Sequence, residues 1–236
     1  RVVYTVHGFD SVRIAFRTFL PIERILQHLC SAIVGVSNYD HRHLLEEGIV
    51  SNVSTIYNGI VQPDTASMTH IPEFGKYEKM VLTIARINAQ KKPDLFIDVA
   101  RRLPQYGFIW IGNLEAVTQY GELPSNCHFM GNIPNAGAYC SKADLFMLPS
   151  NYEGLPMVII EAMSLGKPVV ASDVGGVSEI VRNDINGYAL PNDADLFATK
   201  IQAILVDQDF HQRFSENSLR ISHEELKVDR MAAGYM

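Results

Sequence analysis

Short runs rich in valine and isoleucine recur along the chain at 2–6, 33–36, 53–56, 80–85, 108–111, 145–148 and 169–171. Runs this short and this uniformly apolar read as strands buried on both faces. Between most of them lie stretches with helical periodicity, such as 94–103 and 155–165, so strands and helices alternate. That alternation leaves few architectures open. It predicts an α/β fold of Rossmann-like type, a mostly parallel, doubly wound sheet with helices on both faces.

The rhythm breaks at 61–79, where Pro63, Pro72 and Gly75 interrupt a stretch with little periodicity, so a hinge is expected there. Only three strands precede it, whereas a doubly wound domain normally uses about six. Residues 1–62 therefore read as the carboxyl-terminal part of an incomplete first domain, followed by a linker over 63–79. A complete second domain is expected over 80–222, ending in amphipathic helices at 195–206 and 210–221. A last helix over 223–236 is expected to cross back to the first domain. Arg1 opens directly into an apolar run and Met236 closes an unfinished helical pattern, so both ends read as cut.

Composition narrows the function. The formal charge of -6, with no basic stripe, argues against a nucleic-acid partner. No run approaches the roughly 18 apolar residues needed to span a bilayer, so no transmembrane segment and a cytoplasmic location are expected. Cys30, Cys127 and Cys140 are widely spaced without a Cys-x-x-Cys pair, and read as small buried hydrophobes.

The strongest chemical signal runs from Leu148 to Glu161 (LPSNYEGLPMVIIE), with seven residues between Glu153 and Glu161. It follows a predicted strand, at the carboxyl edge where open α/β sheets bind ligands. Pro156 stands where a first-turn helical proline belongs. Gly154 permits close backbone approach, and the amides from Gly154 and Leu155 to Met157 are expected to form an anion site at the helix start. The helix that follows is apolar at every position except Glu161 and Ser164, so it must be buried nearly all round. A glutamate there needs a partner. A ribose diol would supply two donors, and an ion pair or a solvent-facing helix edge would serve equally well.

A second cluster, Leu82 to Pro93 (LTIARINAQKKP), places Arg86 and Lys91 on one loop at the same sheet edge. Two cations there would hold a diphosphate and stabilise charge as a glycosidic bond breaks, although a solvated basic turn is the commoner outcome for such a cluster alone. Gly175 and Gly176 suit a tight turn or a ligand touching backbone. His7, ending the first strand, reads as a sugar-facing group or as a structural histidine. Asp193-Ala-Asp195 and Asp207-Gln-Asp209 look like metal-binding pairs but fall where helix caps are expected, so no metal is expected. His41 and His43 read as a solvated helix face.

In this order the motifs resemble those of the family-4, GT-B glycosyltransferases over essentially the whole chain. Thr5 to Gly8 (TVHG), Ile33 to Ser37 (IVGVS), Ile56 to Ile60 (IYNGI), Arg86 with Lys91, Phe129 to Ile133 (FMGNI) and Glu153 with Glu161 are similar to landmarks of that family. The resemblance implies transfer from a nucleotide-diphosphate sugar, UDP in preference to GDP, with retention and with neither metal nor other cofactor. Glu153 and the backbone of Gly154, Leu155 and Pro156 would meet the donor sugar, and Glu161 the ribose. Arg86 and Lys91 would stabilise the departing diphosphate, Gly131, Asn132 and Ile133 would meet the base, and His7 would face the sugar from across the cleft. The acceptor would be a glycan, a lipid-linked or a small molecule, with peripheral membrane association of the full-length protein left open. A non-catalytic nucleotide-sugar-binding module and a sugar-nucleotide epimerase are the alternatives. Two positions depart from the family pattern: Ala85 and Lys92 stand where glycines are common.

Overall fold

The computed structural model describes residues 2–66, 68–115 and 117–236; Arg1 lies outside the described residues. Three parallel strands, β1 (Val3–Val6), β2 (Ala32–Gly35) and β3 (Val53–Thr55), form a sheet in the order β1-β2-β3. Helix α1 (Leu20–Leu26) lies between β1 and β2, and α2 (Asn38–Glu46) between β2 and β3. Ser37 caps α2 by accepting the Asp40 amide, which satisfies one of the free N–H groups of the first turn.

The second sheet has six parallel strands. In chain order these are β4 (Met80–Ile84), β5 (Gly107–Ile111), β6 (Cys127–Phe129), β7 (Leu145–Leu148), β8 (Val169–Ser172) and β9 (Gly187–Leu190). Their spatial order is β6-β5-β4-β7-β8-β9, so the winding reverses between β4 and β7. Helices α3 (Pro93–Arg102), α4 (Met157–Ser164), α5 (Val177–Ile180), α6 (Ala194–Val206) and α7 (Gln208–Glu225) cover the sheet. Alternate residues of each strand feed two separate cores. Met80, Leu82, Phe146 and Leu148 pack with α4 and α5 on one face. Val81, Trp110, Leu145 and Met147 pack with α3 and α6 on the other. This is the doubly wound α/β arrangement that uniformly apolar strands predict.

Two strands have no counterpart in the sequence reading. Both lie at the edges of the six-stranded sheet, and β6 has only three residues, with His128 at its centre. The second, β9, opens on Gly187, where an added Cβ would lie 1.9 Å from the Val169 carbonyl oxygen, so only glycine lets β9 approach β8. Helix α7 runs further than expected because Ile221 and Ser222 remain buried beyond its midpoint. After it the chain returns to the first sheet. Ile60 pairs with Lys227 in a parallel bridge, and the Tyr235 hydroxyl meets Thr5 Oγ1 at 3.0 Å, beside α8 (Val228–Gly234). Cys127 and Cys140 are buried, but Cys30 is only half-buried. His41 and His43 are also half-buried rather than solvated, bonded to Thr55 Oγ1 at 2.8 Å and the Tyr39 carbonyl at 2.9 Å. Among the described residues no helix is long and apolar enough to cross a membrane.

Candidate active site

The carboxyl ends of β4 and β7 stand side by side at the reversal of strand order, which is where open α/β sheets leave a crevice for ligands. The loop after β4 carries Arg86 and Lys91, and the loop after β7 carries Glu153. The loops are stitched together: the Asn151 amide donates to the Gln90 carbonyl at 2.7 Å, and Gln90 Nε2 donates to the Tyr152 carbonyl at 3.0 Å. The carboxyl ends of β1, β2 and β3 supply the opposite wall. A cavity of about 320 Å³ lies between, lined by His7, Val36 and Asn58 from one side and by Arg86, Lys91 and Glu153 to Val158 from the other.

Lys91 Nζ lies 2.5 Å from Glu153 Oε1, with the two side chains only 14% and 7% exposed. The same oxygen accepts a 2.6 Å bond from Ser150 Oγ. Arg86 is exposed and makes no ion pair or hydrogen bond among the described residues. With Lys91 neutralised by Glu153, the charge of Arg86 is left to attract an anion. Lys92, the departure from the glycine common in this loop, adopts φ 43° and ψ 60°, the left-handed conformation that favours glycine. Its ammonium pairs with Asp94 at 3.2 Å. Ala85 has no positive φ, so nothing in its backbone calls for glycine.

The walls meet backbone to backbone. A Cβ on Gly154 would fall 2.6 Å from the Gly8 nitrogen, and one on Gly175 would fall 1.9 Å from the Glu153 carbonyl oxygen. The Gly176 amide donates to the Gly154 carbonyl at 2.8 Å, so the paired glycines seat the Glu153 loop. Glu179 of α5 adds three hydrogen bonds to the first sheet's side. It accepts the amides of Asn38 and Tyr39, at 2.9 and 2.7 Å, and the Tyr57 hydroxyl at 2.7 Å. Burial and that bond to Glu179 push the Tyr57 phenol up.

Pro156 is the residue before α4 rather than inside its first turn, and it has no N–H to offer an anion. Leu155 buries its side chain and presents only backbone, its carbonyl taken by Asn58 Nδ2 at 2.8 Å. Glu161 lies one turn beyond Val158, outside the cavity lining, and its carboxylate has no hydrogen bond or ion pair among the described residues. It rests against Gly137, where an added Cβ would stand 2.8 Å from Oε2. Gly131, Asn132 and Ile133 follow β6 and lead toward that glycine without lining the cavity. Asp193 and Asp207 cap α6 and α7 by accepting first-turn amides. Asn58 lies in the Ile56–Ile60 landmark and Ser150 in the Leu148–Glu161 motif, yet their side-chain roles show only in the fold, where Asn58 reaches the Leu155 carbonyl and Ser150 reaches Glu153.

Burial raises the Glu161 pKa above the ordinary glutamate value. The folded chain therefore holds this proton more tightly than the unfolded one, and ionising Glu161 costs stability as pH rises through the window between the two values. Glu161→Gln is expected to raise the thermal unfolding midpoint at pH 7.5, with the gain shrinking as pH falls through the ordinary glutamate range and vanishing well below it, where both states are protonated. A lower midpoint for the variant at pH 7.5 would mean that the carboxylate has a stabilising partner.

The family described as glycosyl transferases group 1 matches residues 68–220. The O-antigen biosynthesis glycosyltransferase WbnH of Escherichia coli is 28% identical over 243 residues, covering 100% of this chain and 68% of that protein. An Escherichia coli UDP-Gal:alpha-D-GlcNAc-diphosphoundecaprenol alpha-1,3-galactosyltransferase is 26% identical over 240 residues, covering 88% of this chain and 60% of that protein. Among solved structures, Anabaena Alr3699/HepE in complex with UDP and glucose superposes with a TM-score of 0.85 at 23% identity, over 99% of this chain and 69% of that one. Sucrose-phosphate synthase from Thermosynechococcus elongatus gives a TM-score of 0.85 at 23% identity, over 99% and 65%. The fold is thus that of the GT-B glycosyltransferases, and a match over more than half the chain makes it a glycosyltransferase belonging to the glycosyl transferases group 1 family.

Proposed function

We propose that this chain is the donor-binding portion of a retaining, metal-independent glycosyltransferase of the family-4 kind, drawing its sugar from a UDP-sugar and passing it to a glycan, lipid-linked or small-molecule acceptor. The observation that carries the reading is the meeting of Arg86, Lys91 and Glu153 at the β4/β7 reversal, with His7 on the facing wall. Arg86 and Lys91 would take the charge that develops on the diphosphate as the bond to the anomeric carbon breaks. Glu153 would hold sugar hydroxyls, and Glu161, half-buried and unpaired, would accept both hydroxyls of a ribose. The backbone of Gly131, Asn132 and Ile133 would meet the base. In retention by front-face attack, the acceptor oxygen bonds the anomeric carbon on the face the phosphate leaves, and a phosphate oxygen takes the acceptor proton. The engagement of Glu153 Oε1 by Lys91 and Ser150 supports this, because it suits a binding carboxylate better than a free nucleophile.

UDP is favoured by a relative named for UDP-Gal and by a fold neighbour solved with UDP. The diphosphoundecaprenol in the name of the same relative supports action at a membrane surface, which this reading puts on the cytoplasmic side. In this reading residues 1–62 belong to the acceptor side, 63–79 link, 80–222 bind donor and 223–236 return to the acceptor side. Calorimetric titration with UDP and GDP, each with magnesium and with EDTA, tests the reading. UDP binding that is indifferent to the metal is the expected result; binding of neither nucleotide, or binding only with magnesium, would overturn it.

A further inference from the structure

Glu153 Oε1 has two donors of different character, Lys91 Nζ at 2.5 Å and Ser150 Oγ at 2.6 Å. Oε2 has no hydrogen-bond partner among the described residues. Lysine is a point charge on a flexible four-carbon stem, and Lys91 faces the same cavity as Arg86, so any diphosphate that enters competes with Glu153 for it. Ser150 has no such freedom. Its amide donates to Ser172 Oγ at 2.8 Å, and its carbonyl accepts from Asn192 Nδ2 at 3.0 Å. Ser172 Oγ in turn donates to Asn192 Oδ1 at 2.6 Å, closing a ring of bonds across the carboxyl ends of β7, β8 and β9. Ser150 and Ser172 are both buried, and the ring fixes the backbone from which the Ser150 hydroxyl reaches Glu153.

We infer that Ser150 is the positioning residue for Glu153, and that the contact from Lys91 is the exchangeable one. When the diphosphate draws Lys91 toward itself, Ser150 keeps Oε1 in place, so that Oε2 stays presented to the sugar. Asn192 acts one step behind, by holding the Ser150 backbone. The inference rests on the donor-site reading above, in which Glu153 meets the sugar and Lys91 the diphosphate.

The test separates nucleotide affinity from sugar affinity in the parent chain and in Ser150→Ala, Lys91→Met and Asn192→Ala. UDP, UDP-glucose, UDP-galactose and UDP-N-acetylglucosamine are titrated into each, and the gain of the best UDP-sugar over UDP is compared. Ser150→Ala should lose roughly tenfold of that gain, the worth of one bond to a charged group, while UDP affinity changes by less than about threefold. Lys91→Met should do the reverse, and Asn192→Ala, altered at an exposed position, should show a smaller loss of gain. Crystals of the first two variants with UDP should show the carboxylate displaced in Ser150→Ala and still in place in Lys91→Met. A full sugar gain in Ser150→Ala, or a carboxylate displaced only in Lys91→Met, would overturn the inference alone. A parent chain that binds UDP with no gain from any sugar would remove the sugar role of Glu153 and this inference with it. Failure to bind UDP at all would sink the donor reading itself.

Discussion

Gly175→Ala is expected to lower the unfolding midpoint by roughly 6–12 °C, equivalent to about 3 kcal/mol for a chain of this size, and to abolish nucleotide binding. Two effects add. Gly175 sits at φ +59°, where a side chain is strained, and its added Cβ would lie 1.9 Å from the Glu153 carbonyl oxygen and 2.7 Å from its carbon. Those atoms are backbone, so the loop that presents Glu153 must move as a unit. Gly121→Ala isolates the first effect, since Gly121 has φ +70° with nothing within 4 Å of an added Cβ. That control should cost about 1 kcal/mol and leave nucleotide binding intact. Equal losses for the two variants would mean that the Gly175 turn does not seat the Glu153 loop.

Glu179→Ala is expected to cost about 2–4 kcal/mol, because one carboxylate satisfies three donors from the facing wall. Two of them are the first amides of α2, where a negative charge is also favoured by the helix dipole. Truncation leaves the Tyr57 hydroxyl and both amides to water, and loosens the junction between the sheets. Hydrogen exchange at the Asn38 and Tyr39 amides should speed up strongly while amides of β4 and β7 keep their protection relative to the new global stability. Unchanged exchange at both amides would show that Glu179 does not tie the walls together.

Much of the fold was legible because buried parallel strands announce themselves as apolar runs. The edge strands did not: β6 is three residues with a histidine at its centre, and β9 begins on a glycine. The site was legible as residue types at loop positions and not as contacts. Ser150 lies three residues before Glu153, yet Lys91 reaches the same oxygen only because β4 neighbours β7 across the reversal. Spacing could not decide between an ion pair and a free carboxylate at Glu161, which depends on Gly137 leaving room beside it. The Gly175–Gly176 pair reads locally as a turn, and the backbone it receives comes from 153–154. Nothing near Glu179 in sequence hints that its partners are Asn38, Tyr39 and Tyr57.

In the proposed donor site a nucleoside diphosphate binds at the β4/β7 reversal, with its phosphates on Arg86 and its ribose on Glu161. The measurement that tests this most directly is calorimetric titration of UDP into Arg86→Ala, Glu161→Ala and the control Arg182→Ala, whose side chain pairs with Glu225 away from the cavity. Loss of about 2 kcal/mol, roughly thirtyfold in affinity, is expected for each of the first two, with no change in the control. Full affinity in both site variants, with the fold intact by circular dichroism, would mean that the nucleotide does not bind through these side chains.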